Sequence, residues 1–266
     1  MATKIFTATE VAQAYTDMTF PVTAECELIR EMVGGQPGGE EGIRHFVEHH
    51  LKLAGLEAEA AVKRIMSEEI GERDVTPELG EVKEQRVYSV NVIRRDEHGP
   101  WIGDWMAKAC LKAAASLLGI FKAKLGTKSA VAEMGRIDAV GFSRLGSPHR
   151  IYVRVFDVPE PVLENAWAPL CHLAPAPTYF REFPGHVRTP QGMRSILTQA
   201  ECIGPGARFK FQLRLPISGK SFTDEEILRI FAAAGNIGLG STKSFELGKF
   251  SVQRLEIDRP EKAEKE

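Results

Sequence analysis

Hydrophobic and polar positions alternate strictly in two stretches of the chain. Residues 18–29 and 208–215 place an apolar side chain at every second position, which is typical of a half-buried β-strand. Shorter strands are predicted at 87–94, 150–156 and 248–257. Strands are therefore predicted from near the beginning of the chain to near its end.

Apolar residues three or four positions apart predict helices between these strands. The segments 43–54 and 56–70 each have this spacing, and so does the segment from Trp101 to about Leu118. In the last of these helices the predicted apolar face contains Trp105, Met106, Ala109, Cys110 and Ala113.

The clearest helix start lies near the end of the chain. Thr223-Asp-Glu-Glu226 is a capping box, in which the threonine and glutamate side chains each accept a hydrogen bond from the other residue's backbone N–H. Phe222 can pack on Ile227 beside it. This helix is predicted to end at the glycine loop 235–243, Gly-Asn-Ile-Gly-Leu-Gly-Ser-Thr-Lys.

The order of these elements predicts an α+β fold: a ferredoxin-like antiparallel sheet with large insertions, in a single domain over residues 1–266. Residues 37–84 form the first insertion, which is acidic and helical. Residues 157–200 form the second, an irregular loop and hairpin segment, because the neighbourhood is rich in proline and lacks periodicity. The tail 258–266 is charged and predicted to fray.

Composition excludes several classes of protein. The chain has 266 residues, and no stretch approaches the ~18 uninterrupted apolar residues of a membrane span. The first residues show no signal-peptide pattern, and the four cysteines never form CxxC, which disfavours zinc and redox motifs. We expect a cytoplasmic protein without a cofactor.

The net charge of −2 hides two opposed segments. Residues 40–84 contain 12 acidic and 6 basic residues, a net charge of −6, whereas residues 85–155 contain 12 basic and 5 acidic residues, a net charge of +7. A near-neutral total therefore argues only weakly against nucleic-acid binding, and the pattern fits a basic groove beside an acidic lobe.

Two short motifs suggest chemistry. His45-Phe-Val-Glu-His49 matches the H-x-x-E-H pattern of inverted zinc proteases, although a solvated polar helix face is the simpler interpretation. The glycine loop resembles a phosphate-binding loop, but Thr242 rather than glycine precedes Lys243, and the loop follows a helix. Its backbone N–H groups could still converge on an anion, while a tight helix-to-strand turn is the alternative.

Three segments resemble the RAMP superfamily, and specifically the backbone subunits of CRISPR effector complexes. They are Glu201-Cys-Ile-Gly-Pro-Gly-Ala-Arg-Phe-Lys-Phe211, the glycine-loop segment Ile237-Gly-Leu-Gly-Ser-Thr-Lys-Ser-Phe-Glu-Leu-Gly-Lys-Phe250, and Val92-Ile-Arg-Arg-Asp-Glu-His-Gly-Pro-Trp-Ile-Gly103. The resemblance spans the frame of the fold, and the segments 37–84 and 157–200 fall outside it.

The resemblance implies an RNA-recognition-motif-like fold that holds guide RNA by its backbone and polymerises along it. The implied partners are guide RNA, target nucleic acid through base pairing, other effector-complex subunits and copies of this chain in a helical filament, with no membrane partner. The predicted RNA-binding residues are Arg94, Arg95, Lys108, Lys112, Arg136, Arg144, Gly238, Gly240, Ser241 and Lys243.

The chain departs from the family pattern at informative positions. Glu246 or Leu247 occupies the place of one family glycine, and Lys108 falls one position late in the helix. Members that cut target RNA carry an aspartate near the position of Tyr88-Ser-Val-Asn91, where this chain has no carboxylate, so target cleavage is not expected. The alternative is a RAMP endoribonuclease that processes precursor guide RNA, with His98 or His186 as general base.

Overall fold

The backbone divides into short helices and longer strands. The computed structural model describes residues 7–17, 19–49, 52–67, 89–120, 137–138, 150–156, 173–189, 192–217, 222–241 and 246–260. Within these ranges the helices are α1 (Ala8–Asp17), α2 (Glu40–His49), α3 (Gly55–Ile65), α4 (Asp104–Leu117) and α5 (Asp224–Ile237). The strands are β1 (Thr19–Leu28), β2 (Met32–Val33), β3 (Gln36–Pro37), β4 (Ser89–Val92), β5 (Arg95–Asp96), β6 (Gly99–Gly103), β7 (Ile137–Asp138), β8 (Arg150–Tyr152), β9 (Arg154–Phe156), β10 (Leu173–Pro175), β11 (Thr178–Thr189), β12 (Gly192–Ile203), β13 (Arg208–Pro216) and β14 (Phe250–Ile257).

The main sheet has the strand order β10-β9-β13-β1-β14, with β7 also paired to β13. These strands pair antiparallel, and β1 lies in the middle between β13 and β14. The alternate side chains of β1, among them Phe20, Val22 and Ala24, are fully buried against helices α4 and α5. The predicted class, an α+β fold with an antiparallel sheet, is confirmed.

A second sheet has the order β11-β12-β4-β3, with β2 paired to β12. Strands β11 and β12 form one long hairpin that is paired without interruption from Thr178↔Ile203 to Thr189↔Gly192. The sequence predicts an irregular loop and hairpin segment here, and the pairing within this hairpin is regular. Pro184 lies in β11, and a proline is tolerated there because β11 is at the edge of the described sheet.

Helices α2 and α3 confirm that the described part of the acidic segment is helical. Ile43 and Val47 of α2 pack with Val62 of α3 and with Val90 and Val92 of β4 in a separate small core. This core is distinct from the one under the main sheet. Residues 50–51 and 68–84 of the predicted insertion lie outside the described residues.

Helix α4 begins later than its pattern predicts. Residues 99–103 form β6 instead, because Trp101 and Ile102 pair with Tyr152 and Ile151 of β8. The helix therefore starts at Asp104, and its buried face is made of Ala107, Cys110, Leu111, Ala114 and Ala115. Of the predicted apolar face only Cys110 is fully buried, and Trp105 is 46% exposed.

The capping box of α5 is confirmed. Glu226 N donates to Thr223 Oγ1 at 3.2 Å, and Thr223 N donates to Glu226 Oε2 at 2.8 Å. At the end of the described chain, Arg259 Nε donates to Asp224 Oδ1 at 2.6 Å, which attaches the first residues of the predicted tail to α5. None of the described helices has the length and apolar character needed to cross a membrane.

Candidate nucleic-acid interface

The glycine loop is a place of close backbone contact. Gly238 and Gly240 have φ values of +81° and +86°, a region that side chains other than glycine rarely adopt. A Cβ on Gly240 would lie 2.7 Å from Val33 O. These glycines are therefore required because the loop passes directly against neighbouring backbone.

The backbone N–H groups of this loop donate within the protein. Gly238 N donates to Ala234 O at 2.9 Å, and Leu239 N donates to Gly248 O at 2.9 Å. Ser241 N donates to Val33 O at 3.0 Å. The prediction that loop N–H groups converge on a phosphate is wrong for these three donors, because each one already has an acceptor.

Ser241 fixes the loop to the connection between β2 and β3. Its hydroxyl donates to Gly34 O at 2.7 Å. Gly34 in turn lies so close to β4 that a Cβ there would be 2.4 Å from Val92 C. Of the other predicted contacts, Lys243, Arg136 and Arg144 lie outside the described residues.

These close approaches form one wall of a cleft of about 250 Å³. The opposite side comes from the end of β4, from β6 and from the first turn of α4. The lining residues are Met32, Val33, Gly34, Gly35, Gln36, Val92, Ile93, Arg94, Trp101, Ile102, Trp105, Met106, Gly240 and Ser241. Three of the predicted RNA-binding residues, Arg94, Gly240 and Ser241, are thus brought together.

Arg94 is held against two aromatic rings in this cleft. Its Cζ lies 4.7 Å from the centre of the Trp105 ring and 5.5 Å from that of Trp101, within cation–π range. Its Nη2 donates to Gln36 Oε1 at 2.8 Å. The Trp105 ring can lie here because Gly103 has no side chain, since a Cβ there would be 2.3 Å from the ring.

Two residues that line the same cleft carry buried N–H donors. Gln36 and Trp101 are each 5% exposed. Gln36 Nε2 and Trp101 Nε1 have no hydrogen-bond partner among the residues that the structure describes. A buried donor without an acceptor is unfavourable by about 1–3 kcal/mol, so both atoms point to a ligand or ordered water as their acceptor.

Arg95, the predicted RNA-binding residue next to Arg94, is paired with Glu201. Its Nη2 lies 3.1 Å from Oε1 of Glu201, a carboxylate that is 1% exposed. The other oxygen of Glu201 accepts a hydrogen bond from Ile93 N at 2.8 Å. Glu201 therefore fixes the chain at the point where it leaves β4 and enters the cleft, and an RNA contact of Arg95 stays a prediction.

The predicted lysines continue from the cleft along helix α4. Trp105, Lys108 and Lys112 have the spacing i, i+3 and i+7, so they lie on one face of the helix. Both lysines are partly exposed, and among the described residues no carboxylate pairs with either of them. We call these three residues, together with Arg94 that contacts the Trp105 ring, the helix stripe.

The basic residues of strand β13 are differently placed. Arg208 Nε lies 2.7 Å from Glu27 Oε2, and Lys210 is directly opposite Glu25 in the register of β1 and β13. Burial lowers the pKa of Lys210, while the nearby carboxylate of Glu25 acts in the opposite direction. The charge of Arg208 is therefore paired inside the sheet.

His98 lies beside a polar cluster. Asp96 Oδ2 accepts hydrogen bonds from Arg150 Nη1 at 2.6 Å and from Tyr152 Oη at 2.7 Å. Burial alone would raise the pKa of Asp96, but these hydrogen bonds lower it overall. Burial raises the pKa of Tyr152 to about 12, with a further contribution from Asp96.

The predicted histidines are not gathered into one site. The His98 ring contacts that of Tyr152 edge-on at 5.9 Å, and its backbone N–H donates to Asp96 Oδ1. His186 lies on β11 opposite Ser195, in the long hairpin. The rings of His45 and His49 lie 4.3 Å apart on α2, but no group of three or more potential metal ligands occurs among the described residues.

The cleft contains functional candidates that sequence patterns do not reveal. Gln36 is 58 residues from Arg94 along the chain and follows a glycine-rich break, so no local pattern indicates its position. Trp101 and Trp105 both fall within the helix that the apolar spacing predicts. The signal that does exist is the proximity of these two tryptophans to Arg94 and Arg95 in a short segment.

Comparison with known proteins gives distant similarity to solved structures alone. No protein-family model matches the chain, and no curated protein matches it. Among solved structures, it is similar to a chain in the cryo-EM structure of the Type III-B Cmr-beta bound to cognate target RNA. The sequence identity is 11% and the TM-score 0.41, over 95% of this chain and 68% of that chain. At these values the similarity carries no inference about function, which has to come from the residues described above.

Proposed function

We propose that this protein is a non-catalytic, guide-RNA-binding backbone subunit of a CRISPR ribonucleoprotein effector complex. The observation that carries the proposal is the helix stripe. Lys108 and Lys112 lie on the same face of α4 as the exposed Trp105, whose ring contacts Arg94. The three RAMP-like segments support it, since two of them, at 92–103 and 237–250, contribute residues to the cleft beside the stripe.

The chemistry of the stripe suits single-stranded RNA. Lysine ammonium groups attract phosphates at any position of the strand, and a partly exposed tryptophan offers a face on which any base can stack. Both interactions tolerate different sequences. A subunit that must accept many guide sequences needs this property.

The proposed role is structural and not catalytic. In the segment where RNA-cutting RAMP proteins carry an aspartate, this chain has Asn91 at the end of β4. The remaining proposed partners follow from the resemblance: target nucleic acid paired to the guide, other effector subunits, and copies of this chain in a helical filament. The acidic insertion 37–84 is proposed to face a neighbouring subunit.

The test is RNA binding by the purified protein as a function of salt. A fluorescent, unstructured single-stranded RNA is titrated with the protein, and anisotropy gives Kd at several salt concentrations. We expect log K to fall linearly with log salt, with a slope of about −0.7 for each phosphate contacted. Absence of binding at the lowest salt concentration would exclude the proposed function.

The second candidate function is metal-independent cleavage of precursor guide RNA. His98 lies beside Tyr152, Arg150 and Asp96, which favours it for this role because a general base needs polar neighbours that orient it. Incubation with repeat-containing RNA in the presence of a chelator is the assay. Cleavage that is lost in His98→Ala would support this alternative, whereas intact RNA would support the non-catalytic role.

A further inference from the structure

We propose that the cleft is a base-selective pocket, which binds one unstacked nucleobase through its carbonyl oxygens, with uracil as the representative ligand. This inference rests on the proposed function, because RNA would deliver the base. It goes beyond that function, since holding a guide by phosphates requires no base preference, whereas this cleft supplies one.

The first argument for this ligand is that the polar groups of the cleft without a partner are hydrogen-bond donors. Gln36 Oε1 accepts from Arg94 Nη2 at 2.8 Å, which orients the amide and leaves Nε2 as its remaining polar group. Gln36 Nε2 and Trp101 Nε1 are both donors without an acceptor in the described protein. The cleft therefore offers two buried N–H groups, which require a ligand that presents acceptors.

The lining supplies the second step. Besides these donors it consists mainly of apolar side chains, of which Val92, Ile93 and Ile102 are at least 97% buried. The Trp101 and Trp105 rings are nearly perpendicular, with an interplanar angle of 85° and centroids 6.3 Å apart. A flat, largely apolar ring with acceptors at its edge is complementary to such a lining.

Volume limits the ligand to a small group. Drug-sized ligands occupy pockets of about 300–1,000 Å³, and this cleft measures about 250 Å³. A free phosphate would leave the apolar walls without contacts. A single heterocyclic base satisfies both the walls and the donors.

Selectivity follows from the donors. Uracil carries two carbonyl oxygens, whereas adenine carries none and presents an amino group on its pairing edge. On that edge adenine has one acceptor, N1, so adenine held by its pairing edge would leave one of the two buried N–H groups unsatisfied. Sites of this kind discriminate strongly against ligands that lack a required acceptor. We expect oligo(U) to bind about tenfold more tightly than oligo(A) of equal length.

The experiment compares the two oligonucleotides by anisotropy at one salt concentration. Gln36→Glu keeps an acceptor for Arg94 but removes the Nε2 donor, and Trp101→Phe keeps an aromatic ring but removes the indole N–H. Both variants should reduce the ratio Kd(A)/Kd(U) to near one. Because Gln36→Glu also adds a negative charge, the ratio rather than either Kd is the readout. Arg229→Gln on α5, which is outside the cleft, should retain the wild-type ratio.

A second measurement separates this inference from the proposed function. Uridine and adenosine, which have no phosphate, are titrated into the protein while the indole N–H signal of Trp101 is followed by NMR, identified by its loss in Trp101→Phe. Uridine should shift the signal and adenosine should not. If RNA binds but both homopolymers bind equally and uridine leaves the signal unmoved, the pocket is refuted and the phosphate grip stands. If no RNA binds, the proposed function fails.

Discussion

The cations of strand β13 and those of helix α4 have the same chemistry but different surroundings. On β13, Arg208 is 17% exposed and contacts Glu27, while Lys210 lies opposite Glu25. On α4, Lys108 and Lys112 are partly exposed and have no carboxylate partner in the described part of the chain. The strand cations are already neutralised by the fold, and the helix cations remain for a ligand.

The difference arises from the neighbours that each element is given. Antiparallel pairing places a residue of β1 directly opposite each residue of β13, and the residues opposite Arg208 and Lys210 are glutamates. Helix α4 instead packs on α5 through alanine, cysteine and leucine, and Lys108 and Lys112 form no ion pair with the described residues. A cluster of basic residues therefore indicates an RNA surface only when the opposing element carries no carboxylates.

The largest loss of stability is expected on removal of Glu201, the buried carboxylate that pairs with Arg95 next to the cleft. Glu201→Ala removes a buried carboxylate and leaves both Arg95 and Ile93 N–H without it, which destabilises the protein by about 3–5 kcal/mol. Denaturant unfolding measures the change. The control is Glu256→Ala, whose exposed pair with Arg254 contributes about 1 kcal/mol or less. Equal losses in the two variants would contradict the role given to Glu201.

The glycine loop gives the next effect. Gly240→Ala should destabilise the protein by about 3 kcal/mol, because a positive φ and a contact of 2.7 Å with Val33 O both oppose the new Cβ. Gly206→Ala has a similar φ of +84° but nothing within 4 Å, so the expected loss is about 1 kcal/mol. Denaturant unfolding compares the two variants, and equal losses would mean that backbone conformation alone requires the loop glycine.

A matched pair of substitutions distinguishes the cations of β13 from those of α4. Arg208→Met leaves Glu27 without its cation and should lower the free energy of unfolding by about 2 kcal/mol, with RNA affinity unchanged within about twofold. Lys112→Met should change stability by less than about 0.5 kcal/mol and weaken RNA binding several-fold. The reverse pattern would show that β13 and not α4 contacts RNA.

The smallest effect is a change in the pH dependence of stability, and it comes from Tyr152, which lies beside the paired cation Arg150. The pKa of Tyr152 is raised to about 12, so the neutral tyrosine stabilises the fold below its ordinary pKa of about 10, and this stability is lost as pH rises through about 12. Between these values wild type should lose more stability than Tyr152→Phe, by about 1 kcal/mol. Parallel unfolding curves for the two proteins across this interval would contradict the assignment.

Local patterns are sufficient to predict much of the fold. The alternation at 18–29 and 208–215 corresponds to β1 and β13, and the capping box correctly begins α5, because both signals depend on residues near one another in the sequence. The predicted start of α4 is wrong, since Trp101 and Ile102 pair with β8, about 50 positions away. The regular pairing of the long hairpin is not predicted, because Pro184 and Gly185 interrupt its pattern.

In the candidate site too, local sequence predicts some residues, whereas others are brought in only by strand pairing. Arg94, Lys108 and Lys112 follow from local charge and from the family resemblance, and the structure places Arg94 in the cleft and both lysines on the helix stripe. Gln36 joins them only through the pairing of β3 with β4. The glycine pattern also predicts phosphate contacts for the loop N–H groups, but those of Gly238, Leu239 and Ser241 donate to backbone carbonyls.

Charge reversal on α4 is the decisive test of whether the helix stripe holds RNA. Lys108→Glu with Lys112→Glu should weaken RNA binding at least tenfold at moderate salt and reduce the salt slope by about 0.7 for each phosphate that the variant no longer binds. The matched control, Arg44→Glu with Arg229→Glu, reverses two exposed arginines on α2 and α5. The account predicts that the control retains wild-type affinity within about twofold. Equal weakening in both double variants, or none in the α4 variant, would contradict it.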